Sequence, residues 1–400
     1  MTVLALVVAA CIGLVVYSYA LYPFVLALVA GWVQLLRDAR YVLGKQDRRM
    51  AASASNGAEP ARLPSVAVII SAYNEQTHLQ ARIDNLLALD YPPELLRCYI
   101  GSDGSRDGTA AILSACQDAR IRACVFEVNR GKASVLNDLV SRASEAVLVF
   151  SDANTFFHRD ALQRLVKHFD EPGVGCVSGE LRLKGTGGDN QDSLYWRVEQ
   201  FLKFFEGRIG GLLGANGAIY AIRRALWRPL TPDTICDDFC VAMNVSAAGH
   251  RLVYEPTAWA EEDTPEAIAE EYNRRVRIGI GNFQALVRHP EYVTRTSWGT
   301  AFAYVSHKVL RWVAPHLLLV ALMLSFVLGL QDAGWLVFAL LQLAAYVAAA
   351  ALYRRTQRGG GMPGLLRIAA FLYALNWAFL VASWRFAKGD FRGSWARTER

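Results

Sequence analysis

The 400-residue sequence lacks the signatures of several large enzyme classes. It has no HExxH and no spaced pair of CxxC sequences, and its seven histidines show no paired spacing, which sets aside a zinc site. It has no GxSxG, the nucleophile turn of a common hydrolase arrangement. It has no GxxxxGK(S/T), although Asn129-Arg130-Gly131-Lys132 looks superficially like a phosphate loop. Cysteine is scarce and odd in number, seven in all, and most sit in apolar runs. That describes small buried thiols in a reducing compartment rather than a disulfide framework. No internal repeat or low-complexity block occurs. Charge is missing from the whole of Met1–Leu36.

What is present is largely apolar: 53% hydrophobic residues against 20% charged. This is too apolar for a disordered chain and too charged for a pure membrane bundle. The apolar residues gather at the ends. Uncharged stretches cover 1–36, 312–331, 333–353 and 368–384, and about 20 residues of helix cross a hydrocarbon core. The start has no basic n-region and is too long for a signal peptide, so it reads as a retained anchor that Pro23 kinks or splits. The expected layout is an anchor at 1–43, a linker at 44–64 and a globular domain at 65–290. An interfacial amphipathic segment at 291–311 follows, then about three membrane helices at 312–387 and a basic tail at 388–400. The net charge of +6 falls largely beside the apolar segments, as at Arg37, Arg40, Lys45, Arg48 and Arg49. Lipid headgroups account for that charge, and nucleic acid is not an expected partner. With three C-terminal spans, the arginine-rich loop 353–367 falls on the side of the globular domain, as the charge rule favours. The tail then falls on the far side, against its own charge.

Within the globular stretch, SVAVIISAY (65–73), RCYIG (97–101) and AVLVFS (146–151) read as buried strands. Leu79, Ile83, Leu86, Leu87 and Leu89 recur at helical spacing, and Tyr91-Pro92-Pro93 stops that helix. The alternation predicts an α/β fold, a mostly parallel Rossmann-like sheet with helices on both faces. Such sheets bind ligands at the carboxyl ends of their strands. Asn74-Glu75, Asp103 and Asp152 all fall at strand ends.

Four groups have the residue types for chemistry. Asp103 follows a strand directly and is a ligand candidate, whereas Asp107 suits a helix cap near Thr109. Asp152-Ala153-Asn154 offers a carboxylate and an amide oxygen, workable for a divalent cation held against a diphosphate. Asp237-Asp238 stand at a helix start, where the dipole favours them and each carboxylate raises the other's affinity for a proton. One of them can serve as a general base. Arg274 and Arg277 share a helix face and, like Lys132, suit phosphate oxygens or lipid headgroups.

Taken in order, SAYNE (71–75), LDYPPE (89–94), GSDGSRDGT (101–109), NRGKASVLN (129–137), SDANT (151–155), GANGAIYAIRR (214–224), DDF (237–239) and RRVR (274–277) resemble one family. It is the membrane-anchored family 2 glycosyltransferases of GT-A fold, which includes cellulose, hyaluronan, chitin-oligomer and poly-N-acetylglucosamine synthases. The resemblance implies that Asn74, Glu75, Asp103 and Lys132 line the pocket of a nucleotide, usually UDP. It makes Asp152 the first acid of a DxD motif for Mg²⁺ or Mn²⁺, with Asn154 in the second position. Asp238 becomes the base that deprotonates the acceptor hydroxyl, with Asp237 supporting it. Gly217 falls where acceptor meets donor, and Glu180, Tyr195 and Trp196 become sugar contacts. Arg277 matches the arginine of a QxxRW motif whose glutamine and tryptophan are absent here. That tryptophan is associated with holding a growing polymer. The expected activity is therefore a single inverting transfer from a nucleotide sugar to a lipid-linked or exopolysaccharide acceptor, on the cytoplasmic face of a bacterial inner membrane. A processive synthase and an inactive scaffold are the alternatives.

Overall fold

The computed structural model describes residues 2–43, 63–184, 194–263, 268–357 and 364–391. The expected linker, apart from Leu63 and Pro64, lies outside the described residues, as do the GGG loop at 359–361 and the end of the basic tail.

The chain divides into two compact units, one comprising Leu26–Thr264 with Glu291–Ala303, the other Met1–Val25, Pro265–Pro290 and Tyr304–Gly393. The first unit is built on an eight-stranded sheet. Its strands are β1 (Val66–Ala72), β2 (Leu96–Asp103), β3 (Ile121–Phe126), β4 (Val147–Asp152), β5 (Phe156–Phe157), β6 (Val174–Lys184), β7 (Tyr220–Arg223) and β8 (Arg251–Asp263), in the order β3-β2-β1-β4-β7-β6-β8-β5. Strands β3, β2, β1 and β4 are mutually parallel. All seven residues of β1 are buried, as an uninterrupted apolar run with both faces covered requires. Register sets Asp152 opposite Ser71 and Ser102 opposite Ala72, so the ends of β1, β2 and β4 form one edge.

The parallel pattern expected from sequence is interrupted after β4 and resumes between β6 and β8. Beside β4, β7 enters antiparallel, with Tyr220 opposite Phe150. The reversal has a functional consequence: the loop leading into β7 arrives at the same edge as Asp152.

In chain order the helices begin with α1 (Thr2–Val16) and α2 (Tyr22–Leu43). Those of the sheet unit are α3 (Gln76–Leu87), α4 (Thr109–Ala115), α5 (Lys132–Arg142), α6 (Ala161–Val166), α7 (Leu194–Arg208) and α8 (Asp237–Ala247). Helix α5 packs tightly on β2, since a Cβ on Gly101 would come within 2.6 Å of Val135 Cγ1. After α9 (Ile268–Arg288) come the short α10 (Glu291–Thr294) and α11 (Trp298–Ala303), then α12 (Leu310–Gly329), α13 (Ala333–Gln357) and α14 (Gly364–Ala387).

Of the segment 291–311, Glu291–Ala303 belongs to the first unit and Tyr304 onward to the second. Tyr292 is fully buried in the sheet unit, its hydroxyl 3.0 Å from Asn244 Oδ1. From Trp298 the helix runs on into α12 through a π-helical turn, Tyr304–Val309. The ring of Tyr292 thereby gains an apolar site and its hydroxyl a partner.

In the helical unit, Val8 and Cys11 of α1 pack with Ala321 and Leu328 of α12. Gly279 of α9 lets that helix approach α14, where an added Cβ would lie 2.7 Å from Ala382 Cβ. Pro23 does not split the N-terminal helix. A π-helical turn, Tyr17–Leu21, joins α1 to α2, with the Tyr22 N–H donating to the Tyr17 carbonyl. Among the described residues, four helices are long and apolar enough to cross a membrane: Thr2–Leu43, Trp298–Gly329, Ala333–Gln357 and Leu366–Ala387.

Candidate active site

The site is assembled from strand ends and helix starts. Asp103 ends β2 and is 2% exposed. Its Oδ1 accepts the Arg130 N–H at 2.8 Å and its Oδ2 the Gly131 N–H at 2.9 Å. Gly131 adopts a φ of 88°, a left-handed value that suits glycine. The carboxylate thereby fixes the backbone entering α5 and aims the next residue, Lys132.

Lys132 Nζ lies 2.9 Å from Asp152 Oδ1 at the end of β4 and 3.2 Å from Asp237 Oδ2 at the start of α8. Burial alone would lower the affinity of this amine for its proton. The charges of Asp152, Asp237 and Asp238 outweigh burial and hold it well above the usual lysine range. Asp238 shows the opposite balance. Burial first, then the Asp237 charge, raise its pKa to about 6, against the pull of Lys132. At neutral pH it is ionised yet retains appreciable basicity.

Gly217 belongs to the loop before β7. A Cβ built there would sit 3.0 Å from Asp238 Oδ2. The glycine thus leaves open the space beside the carboxylate. Replacing Gly217 with Ala should displace the Asp238 carboxylate by a few tenths of an ångström at unchanged fold and, on the expectation that Asp238 is the base, lower turnover about tenfold. Sugar-transfer kinetics on folded G217A protein check this.

Asn74 has a φ of 55°, a left-handed value that Asn tolerates better than most residues. Its N–H donates to Ser105 Oγ and its Oδ1 accepts the Arg106 N–H. Glu75 is 4% exposed, its N–H donating to Thr109 Oγ1, with Oε2 3.4 Å from His78 Nδ1. Asp107 accepts from Thr109 as expected and also from the Gln76 N–H. These bonds stitch the loop after β1 to the loop after β2. Asn154 donates through Nδ2 to Glu262 Oε1 on β8 at 2.7 Å. Glu180 lies on β6 just beyond Ser178, whose Oγ accepts the Asn216 N–H next to Gly217.

The structure therefore brings together Asp103, Lys132, Asp152, Asp237, Asp238 and Gly217. It places Arg274 and Arg277 on α9, within the helical unit, the first exposed and the second half-buried. Trp196 and Tyr195 are on α7, but their side chains lie outside those described.

Three neighbours of the site were not apparent from sequence. Glu262 partners Asn154. Tyr220 is fully buried, and its hydroxyl finds no hydrogen-bond partner among the described residues. Burial, then the charges of Asp237 and Asp238, hold its proton well above the usual range. The third is Arg82, buried beneath Ser151.

A parallel sheet edge bearing Asp103 and Asp152, extended by antiparallel β7 and faced by an acid pair, defines a GT-A fold. A solved mannosyltransferase from Pyrobaculum calidifontis, in complex with GDP-Man and Mn²⁺, has this fold. It superposes with a TM-score of 0.64 over 94% of this chain and 99% of its own, at 20% identity. Residues 67–228 match Glycosyl transferase family 2, and the chain carries a domain of that family. The matched stretch includes Asp103, Lys132, Asp152 and Gly217 and ends before Asp237. Poly-beta-1,6-N-acetyl-D-glucosamine synthase of Staphylococcus epidermidis is 26% identical over 238 residues, 58% of this chain and 57% of the relative. The synthase of the same description from Staphylococcus aureus is 27% identical over 237 residues, 56% of each. The chain spans little more than half the length of the curated relatives it matches.

Proposed function

We propose that the chain is an inverting glycosyltransferase that moves a sugar from a nucleotide sugar, UDP-linked in the favoured reading, to a lipid-linked or polysaccharide acceptor. One observation carries this reading: a single buried ammonium joins Asp152 to Asp237, while Gly217 keeps clear the space beside Asp238.

Three carboxylates around one ammonium leave the pocket negative, which favours a cation accompanying the donor diphosphate. The donors fit a hard divalent ion. Asp152 is about one-third exposed, and the Asn154 nitrogen is engaged by Glu262, leaving the amide oxygen to be offered. These two residues would hold Mg²⁺ or Mn²⁺, which when bound supplies charge neutralisation for the departing diphosphate. Lys132 adds a fixed positive charge at the same place. Asp238 accepts the acceptor hydroxyl proton while that oxygen attacks the anomeric carbon and the bond to the diphosphate breaks. One base and one displacement invert the configuration. Asn74, Glu75 and Asp103 shape the nucleotide end, while Arg274 and Arg277 are assigned to phosphate oxygens. Glu180 and Trp196 are assigned to the sugar. The catalytic unit is assigned to the cytoplasmic side of a bacterial inner membrane, next to the basic cluster that follows the N-terminal span.

The relatives make a polymer by their description, which favours a second reading as a processive synthase. Against it stands the absence of tryptophan in Arg274-Arg275-Val276-Arg277-Ile278. A panel of UDP- and GDP-sugars offered to the detergent-purified full chain tests both. Short products from one donor are expected. Long chains would transfer the reading to the synthase, and no turnover of any donor, with or without acceptor extract, would overturn it.

A further inference from the structure

Among the described residues, Arg82 is the largest fully buried side chain of the sheet unit, and no carboxylate is among its bonded partners. Its guanidinium lies 4.3 Å over the Phe157 ring, donates to Asn85 Oδ1 at 2.6 Å and donates to Ser151 Oγ at 2.9 Å. Its Nε is buried without a hydrogen-bond acceptor among the described residues. A cation buried this way is costly, and an apolar side chain of similar size would serve packing alone better. Burial pulls its pKa down to about 9, which still leaves it charged at neutral pH.

The Ser151 hydroxyl shows what that cost supports. It accepts from Arg82 and donates its own hydrogen bond to the Ala218 carbonyl at 2.8 Å. Ser151 immediately precedes Asp152, and Ala218 immediately follows Gly217. One hydroxyl therefore ties the strand end bearing the donor-side carboxylate to the loop that abuts Asp238. Asn85 braces the assembly from behind. Its Oδ1 also accepts the Phe157 N–H, and its Nδ2 donates to the Phe157 carbonyl.

We propose that Arg82 is a positioning residue which, through Ser151, sets the distance between the Asp152 and Gly217–Asp238 sides of the site. This rests on the transfer reading above. The guanidinium fork is required, because it reaches Asn85 and Ser151 at once from a fixed plane, which a lysine ammonium cannot do.

The test uses the full chain in detergent with S151A, R82K and R82M. S151A removes the link and with it one acceptor of the Arg82 guanidinium, but leaves the Arg82 contacts to Asn85 and Phe157, so it should still fold. Its kcat, measured below the lowered thermal midpoint that an unsatisfied buried donor brings, should fall about 10–100-fold, with donor KM changed less than about threefold. R82K and R82M should lose kcat to a similar extent, and R82M/S151A should lose no more than the worse single variant, because both act through one chain of bonds. Hydrogen exchange at the amides of residues 216–220 should quicken in S151A. Wild-type kcat in S151A, or losses that merely track the folded fraction, would overturn the proposal while leaving sugar transfer standing. If the wild type transfers no sugar, the transfer reading falls and the exchange arm alone decides the tether, with unchanged rates in S151A refuting it.

Discussion

Asp238→Asn is expected to abolish most sugar transfer, by about 10²–10⁴-fold in kcat, at unchanged protein level. The substitution is nearly isosteric and keeps the site's shape, but the amide cannot accept the acceptor proton. Because the loss falls on the chemical step, donor KM should stay close to the wild-type value. In the wild type the base must be ionised. With the Asp238 pKa raised to about 6, kcat/KM should be level above that pH and fall about tenfold per unit below it. Rate assays across pH on D238N and wild type together decide the assignment. Unchanged turnover in D238N would remove Asp238 from the mechanism.

Lys132→Met should cost a comparable amount for a different reason. The ammonium neutralises Asp152 and Asp237 and lies close enough to Asp238 to lower its proton affinity. Without it, three carboxylates share a partly dry pocket and lose the ammonium that pairs with two of them. Donor binding and turnover should fall together, by about 10²–10³-fold in kcat/KM, since the lost charge would serve the diphosphate in ground and transition states alike. Removing the positive neighbour raises the Asp238 pKa, so the acid limb of the residual activity should move upward from about 6. A limb that stays in place would separate Lys132 from the base, even if activity falls. Circular dichroism on the same samples separates these effects from loss of fold.

Much of the edge of the sheet was legible because its determinants are local. SVAVIISAY and AVLVFS announce strands by composition, and a carboxylate directly after an apolar run falls at a strand end whatever the rest of the chain does. The order of the short motifs supplied the family. Other features depend on contacts that no local pattern encodes. The insertion of β7 between β4 and β6 is a matter of strand order among remote segments, and so is the pairing of Lys132 with Asp237. The bond from Asn154 to Glu262 likewise joins the site to a strand far along the chain. Arg82 is the instructive omission. It stands three residues after Leu79 and four before Leu86, on the apolar face of α3, so its burial could have been inferred from the same periodicity that identified the helix. A charged residue on such a face is a signal of function or of a buried network. The burial of Tyr292 was not legible either: it rests on a contact with Asn244, 48 residues away in sequence.

The arrangement stands or falls on whether these carboxylates serve one diphosphate-bearing ligand. Titration calorimetry of UDP and of GDP into the full-length chain, with and without Mn²⁺, addresses this without relying on turnover. The account predicts that one nucleotide binds, that Mn²⁺ strengthens its binding, and that Asp152→Asn abolishes the strengthening while the protein stays folded. Nucleotide binding indifferent to both Mn²⁺ and Asp152→Asn, or no binding of either nucleotide at millimolar concentration, would contradict it.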